Sequence, residues 1–169
     1  MKIGLVGVGA IAIKQHRPAI AASDAFTLVA TASRNNTMDG IANQKSLSDM
    51  LAAVPDMEAV TLCVPPAVRY AFACEAIDAG RHVFLEKPPG LAVSEVMALA
   101  DRAAARGVTL FASWHSRFGP AVEPLRHHLA AHPPHSVTVT WKEEVRFYHP
   151  GQRWSWEAGG FGVFDPGIN

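Results

Sequence analysis

The 169-residue chain has little cysteine, no net charge and no long apolar run, and each lack excludes a class of protein. Two cysteines, Cys63 in a strand-like segment and Cys74 in a helix-like one, favour reduced, buried thiols over a disulfide framework. Fifteen basic and fifteen acidic residues balance, so no basic surface is expected for nucleic acid or anionic lipid. No segment is apolar over a membrane-spanning length, and Met1 and Lys2 lead directly into a strand-like run instead of a signal peptide. We expect a cytoplasmic protein whose partners include neither nucleic acid nor a membrane.

The chain does contain a regular alternation of strand-like and helix-like segments, in a composition that is 49% hydrophobic and 18% charged. The predicted strands span residues 2–6, 26–32, 59–64, 82–85 and 108–112. The predicted helices between them span residues 11–22, with a break or kink at Pro18, a short stretch that ends at residue 54, 67–79 and 94–106. This alternation predicts an α/β fold, a Rossmann-type doubly wound parallel sheet with right-handed crossovers.

The pattern changes near Trp114. A helix is predicted over residues 120–131, and the alternating, β-branched residues 137–146 predict the first strand of a different, antiparallel sheet. We therefore divide the chain into a dinucleotide-binding domain, residues 1–117, and the beginning of an incomplete α+β substrate and oligomerisation domain, residues 118–169.

The most informative stretch is Gly7-Val8-Gly9-Ala10-Ile11-Ala12, directly after the first predicted strand. In a Gly-x-Gly-x-x-Ala turn the first glycine permits the tight turn, the second lets a diphosphate approach the backbone, and the alanine allows close helix packing. The N–H groups at the helix start, at Ala10 and Ile11, would then face an anion. A glycine-rich turn is often only a turn, but its position between two strand-like runs favours a dinucleotide site.

The residues after the second predicted strand favour NADP over NAD. An NAD site normally places a carboxylate there for the ribose 2′-hydroxyl, whereas this chain has Ser33 and Arg34. A hydroxyl and a guanidinium suit a 2′-phosphate, through a hydrogen bond and a charge-assisted contact. NAD remains possible, because Arg34 is also compatible with a solvated loop position.

Two further motifs follow later strands, Cys63-Val64-Pro65-Pro66 and Glu86-Lys87-Pro88. Together with the glycine turn they make the chain resemble the glucose-fructose oxidoreductase / inositol dehydrogenase (Gfo/Idh/MocA) family of NAD(P)-dependent sugar dehydrogenases. Segments 141–145, 149–152 and 162–169 resemble, within that family, bacterial aldose 1-dehydrogenases that act on L-arabinose or D-galactose. The resemblance covers this whole chain and about the first half of a typical member. It implies a homo-oligomer formed through the antiparallel sheet of the complete protein, and cofactor contacts from Cys63, Pro65, Pro66, Glu86 and Lys87.

By this resemblance, the reaction is oxidation of the C1 hydroxyl of an aldopyranose to a lactone, with hydride passing to the nicotinamide. Lys87 is the candidate base and Asp165 its catalytic partner. Each has a structural alternative: Lys87 an ion pair with Glu86 or another carboxylate, and Asp165 a turn before Pro166.

The same resemblance assigns His115, Glu143, His149 and Asn169 to the sugar site, although each of the first three is individually compatible with a structural role. Many family members have histidine at the position of Asn169, and an amide cannot act as a general base, so proton transfer falls to Lys87 and Asp165. We expect no metal site, because no acidic or cysteine ligand accompanies His128 and its neighbouring histidines.

A second hypothesis belongs to another class: a non-catalytic nucleotide-binding module, or a truncated remnant, that acts as a redox or sugar sensor. The Lys87 and Asp165 pair favours the enzyme, and the end at Asn169 favours the module. We expect the 169-residue chain alone to bind dinucleotide weakly, to turn over poorly and to self-associate.

Overall fold

The computed structural model describes residues 1–140 and, beyond them, Lys142, Glu144, Phe147, Gly151 and Glu157. The chain divides into two compact units, Met1–Ser113 and Trp114–Asn169. The first contains every strand found in the described residues. No helix in the described part of the chain has the length and apolar character needed to cross a membrane.

The first unit is a six-stranded parallel sheet with the strand order β3-β2-β1-β4-β5-β6. This is the order of the dinucleotide-binding Rossmann fold, and it confirms the predicted fold class. The strands are β1 (Lys2–Val6), β2 (Thr27–Ala32), β3 (Asn43–Gln44), β4 (Ala59–Leu62), β5 (His82–Leu85) and β6 (Leu110–Ala112). The helices are α1 (Arg17–Ala21), which continues a π-helical turn (Ala12–His16), then α2 (Leu47–Ala53), α3 (Pro66–Asp78) and α4 (Val93–Arg106).

Apolar packing explains why the central strands are continuous hydrophobic runs. All four residues of β4 are buried, because a parallel strand in the middle of this fold is covered on both faces. On one face, Leu62 and Leu85 belong to the main core together with Ile77 of α3 and Leu99 of α4, and all four are fully buried. On the other, Leu5, Val8, Ala12 and Met38 form a smaller core beneath the glycine turn.

Two local features of the first unit differ from the sequence prediction. No strand was predicted between residues 33 and 44, but this segment contains the short strand β3. Its two residues are polar and show no alternation of apolar and polar side chains. A break was predicted at Pro18, but the irregular segment is the π-helical turn one turn earlier. Pro18 itself occupies the first turn of α1. A proline ring clashes with the carbonyl four residues before it, and the wider π turn, in which the Arg17 N–H bonds to the Ala12 carbonyl, accommodates that carbonyl.

The described part of the second unit contains a 3₁₀ turn (His115–Phe118) and helix α5 (Val122–Ala131). The helix confirms the predicted helical segment. Residues 137–140, the described start of the predicted 137–146 strand, are not in a strand. A strand requires a hydrogen-bonded neighbour, and these four residues pair with no strand in the described chain.

Candidate dinucleotide-binding and active site

Because all strands are parallel, the segments that follow them leave the sheet at the same edge. Strand order reverses direction between β1 and β4, and a crevice at such a switch point is where open α/β sheets bind ligands. The first unit therefore brings most of the predicted site residues to one edge. They are Gly7, Gly9, Ala10 and Ile11 after β1, Ser33 and Arg34 after β2, Cys63, Pro65 and Pro66 after β4, and Glu86 and Lys87 after β5.

The glycine turn has the geometry that its sequence predicts. Gly7 has φ +91°, and a Cβ there would lie 3.0 Å from the backbone of Cys63, so a side chain is excluded by both conformation and space. A Cβ on Gly9 would meet nothing within 4 Å, which leaves the backbone open to an incoming group. Ala12 is fully buried beneath the turn. An open glycine, a tight turn and a helix start together fit a diphosphate.

The loop after β2 is tied to the glycine turn by side-chain amides. Asn36 Nδ2 donates to the Val8 carbonyl at 2.8 Å, and the Ser33 hydroxyl accepts the Asn36 N–H at 3.3 Å. Arg34 is exposed at the start of this loop, and Lys45 Nζ donates to its carbonyl at 3.4 Å. Two cations, Arg34 and Lys45, therefore lie at the position where an NAD-specific site would place a carboxylate.

Lys87 is the second residue after the end of β5 and is half-buried. The Lys87–Pro88 peptide bond is cis. Beneath this segment lies Arg69 of α3, whose side chain is only 3% exposed. Its guanidinium donates to the carbonyls of Glu86 at 2.6 Å and Val64 at 2.5 Å, and also to the carbonyl of Pro88. Arg69 thus connects the loop after β4 with the Glu-Lys-Pro turn.

The Glu86 carboxylate contacts the π-helical turn with one oxygen and the Lys87 backbone with the other. His16 Nε2 contacts Glu86 Oε1 at 2.6 Å, in an ion pair whose side chains are 11% and 16% exposed. Glu86 Oε2 accepts the Lys87 N–H at 3.1 Å and the Ser113 hydroxyl at 3.3 Å. On the other side of the ring, His16 Nδ1 lies 3.4 Å from Thr61 Oγ1.

This environment fixes the charges of the pair. Burial alone disfavours a charged imidazole, but hydrogen bonds and charge at Cys63 and Glu86 outweigh it and raise the pKa of His16 from 6.5 to about 9. Burial also opposes ionisation of Glu86, and the hydrogen bond and charge of His16, with smaller help from Lys87 and Ser113, keep the pKa of Glu86 below its ordinary 4.5. At neutral pH the pair is a carboxylate and an imidazolium.

The remaining predicted site residues fall in the second unit. His115 is in the 3₁₀ turn and is exposed. Glu143, His149, Asp165 and Asn169 lie outside the described residues.

Sequence reasoning missed three side chains at this edge: His16, Arg69 and Lys45. Arg69 could have been found from the sequence, because it is a single cation among the apolar residues at the start of α3. An arginine buried there needs several hydrogen-bond acceptors. His16 and Lys45 carry no comparable signal, because their partners are 70 and 11 residues away along the chain.

Comparison with known proteins agrees with this fold. The model of the oxidoreductase family GFO_IDH_MocA, with an NAD-binding Rossmann fold, matches residues 1–113. Galactose 1-dehydrogenase of Pseudomonas fluorescens is 41% identical over all 169 residues, which span 54% of that protein.

Two solved structures extend the comparison. D-galactose-1-dehydrogenase from Rhizobium etli superimposes with a TM-score of 0.87 and 50% identity, over 99% of this chain and 54% of that one. The WlbA dehydrogenase of Bordetella pertussis, solved with NADH and UDP-GlcNAcA, gives a TM-score of 0.71 and 29% identity, over 78% of this chain and 42% of that one. The chain thus spans about half the length of these relatives, and it belongs to the Gfo/Idh/MocA family of oxidoreductases with an NAD-binding Rossmann fold.

Proposed function

We propose that the protein carrying this chain is an NADP-preferring aldose 1-dehydrogenase that oxidises D-galactose or L-arabinose at C1 to the lactone. The observation that carries the proposal is likeness to galactose 1-dehydrogenases over the whole chain, combined with a glycine turn and a Glu-Lys-Pro turn at one edge of the sheet. Bound NADP would supply the hydride acceptor.

In this proposal Lys87 holds or removes the proton of the C1 hydroxyl. The proposal is supported by its position in the turn after β5, the neighbour of β4 in the sheet, and by the partial burial of the residue. Asp165 is its proposed partner, while His115, Glu143, His149 and Asn169 orient the sugar hydroxyls. Glu143, His149, Asp165 and Asn169 belong to residues 118–169, which we assign to the substrate and oligomerisation domain, and His115 lies just before that domain.

The preference for NADP rests on the loop after β2. Arg34 and Lys45 offer two positive charges there, and Ser33 a hydroxyl, in place of the acidic residue that binds a free ribose hydroxyl. A charge-assisted hydrogen bond contributes about 1.5–3 kcal/mol, which corresponds to about tenfold to 150-fold in affinity.

The experiment is a calorimetric titration of NADP and NAD into this chain and into a form extended with its native downstream sequence. Turnover with D-galactose and L-arabinose is measured in parallel. We expect NADP to bind more tightly than NAD, Arg34→Gln to weaken NADP binding about tenfold or more, and NAD binding to change little. Arg102→Gln is the matched control, because Arg102 pairs with Asp78 on the surface of the α3 and α4 helices.

Each outcome separates the hypotheses. Sugar-dependent reduction of NADP supports the enzyme. Tight dinucleotide binding without turnover of any aldose supports the non-catalytic module instead. If neither form binds a dinucleotide, the glycine turn is only a turn and the proposal is wrong.

A further inference from the structure

The Arg69 guanidinium and the Glu86 carboxylate hold the main chain around Lys87. The carbonyl before Lys87, that of Glu86, and the carbonyl after it, that of Pro88, both accept from Arg69. The N–H of Lys87 is held by the Glu86 carboxylate, which His16 anchors. We propose that His16 and Arg69 are positioning residues for Lys87: Arg69 through the flanking carbonyls and His16 through the Glu86 carboxylate. This inference rests on the proposed function, in which Lys87 is the base.

Arg69 is suited to this role by geometry and burial. A guanidinium is a rigid planar fork, so carbonyls that share it are fixed relative to one another and to α3. Its third acceptor is the Val64 carbonyl in the loop after β4, 2.5 Å away. Because Arg69 is 3% exposed, it is placed to act on the backbone and not on a substrate.

His16 acts on Lys87 indirectly, by fixing the orientation of the Glu86 carboxylate. With one oxygen held by His16 at 2.6 Å, the other is left to the Lys87 N–H and the Ser113 hydroxyl. The His16 ring is itself fixed on three sides, by Glu86, by Thr61 and by an edge-to-face contact with Phe84 at 5.5 Å. Loss of His16 would free the carboxylate to rotate, and the Lys87 N–H would lose a defined acceptor.

Such a clamp matters because proton transfer is sensitive to small displacements. A mutation far from the reacting atoms that misplaces a catalytic group by about 1 Å can lower the rate about 100-fold. Displacement of Lys87 would lower kcat, whereas the diphosphate contact predicted at the glycine turn involves residues that neither Arg69 nor Glu86 holds. A purely structural role predicts a different result, namely a loss of stability with kcat unchanged in the molecules that remain folded.

The test uses the complete gene product and the variants Arg69→Ala and His16→Gln, assayed with NADP and D-galactose at a temperature where each is folded by circular dichroism. We expect kcat to fall about tenfold to 100-fold, and KM for both substrates and the calorimetric Kd for NADP to change by a clearly smaller factor than kcat. Millimolar guanidinium should restore part of the kcat of Arg69→Ala, because it can occupy the vacated cavity, and equal sodium chloride should not. Arg102→Ala is the matched control for loss of an arginine.

A second measurement does not depend on turnover. Competitive acetylation, read by mass spectrometry, gives the reactivity of Lys87 relative to the exposed Lys14 in the same molecule. We expect this ratio to change in both variants and to stay constant in Arg102→Ala. An active wild type whose variants keep kcat and the labelling ratio would overturn the inference, whereas a wild type inactive on every aldose would overturn the proposed function.

Discussion

The partly buried ion pair of His16 and Glu86 makes stability depend on pH in the alkaline range. His16 titrates at about 9 in the folded protein and at 6.5 when unperturbed. The folded state therefore binds the extra proton between these values, and its stabilisation is fully present below pH 6.5 and is lost as pH rises through 9. At about 1.36 kcal/mol for each pKa unit, the stabilisation is on the order of 3 kcal/mol.

The assay is urea denaturation between pH 6 and 10, followed by far-ultraviolet circular dichroism because all four tryptophans lie beyond residue 113. We expect the free energy of unfolding of the wild type to fall with pH at up to about 1.36 kcal/mol per pH unit, relative to His16→Gln. Glu86→Gln should flatten the same dependence. A Cys63→Ser background removes the thiol whose hydrogen bond and charge also raise the pKa of His16, so the contribution of Glu86 is measured separately.

Nuclear magnetic resonance measures the pKa of His16 directly. With the imidazole nitrogens labelled, the His16 resonance should titrate with a midpoint near 9 in the wild type and lower in Glu86→Gln. Parallel unfolding curves for wild type and His16→Gln across this range, or a wild-type midpoint at 6.5 or below, would refute the argument.

Three further substitutions test other parts of the first unit. Gly7→Ala should destabilise the protein by about 1–3 kcal/mol, measured by denaturation, because the residue has φ +91° and no space for a Cβ. Gly9→Ala should leave stability unchanged or slightly higher and weaken calorimetric dinucleotide binding, since its Cβ would meet only the ligand; equal binding to wild type contradicts this. Ser46→Ala should cost about 1 kcal/mol, because the Ser46 hydroxyl accepts the Asp49 N–H at 3.1 Å as the N-cap of α2; an unchanged unfolding midpoint would argue against that contact.

The parallel, doubly wound sheet and most of the dinucleotide edge were predictable because they depend on local pattern. Buried parallel strands read as apolar runs, and Gly7 is specified by a turn whose conformation excludes other residues. Since parallel strands end at one edge, the positions of Arg34 and Lys87 relative to Gly7 followed from the alternation of strands and helices alone. None of these inferences required knowledge of a contact between distant side chains.

The contacts that were not predicted are long-range and polar. Pro18 predicts a π-helical turn only if the helix is already known to continue past the proline. That turn brings His16 into contact with Glu86, which is 70 residues away along the chain. Hydrophobic periodicity contains no information about which buried polar groups meet. Strand β3 was missed for a related reason, because Asn43 and Gln44 are held by pairing with β2 and not by apolar burial.

Polar contacts of this kind are a poor way to stabilise a sheet. Removing one partner of a buried ion pair costs about 3–5 kcal/mol, yet replacing the whole pair by apolar residues of similar volume is often neutral or stabilising. The stability of the pair therefore does not explain why His16 and Glu86 stand here in place of two leucines. What an apolar pair cannot supply is an acceptor for the Lys87 N–H and the Ser113 hydroxyl, both of which depend on the Glu86 carboxylate. The pair is best understood through the backbone that it orients, at the end of β5 where the proposed base is placed.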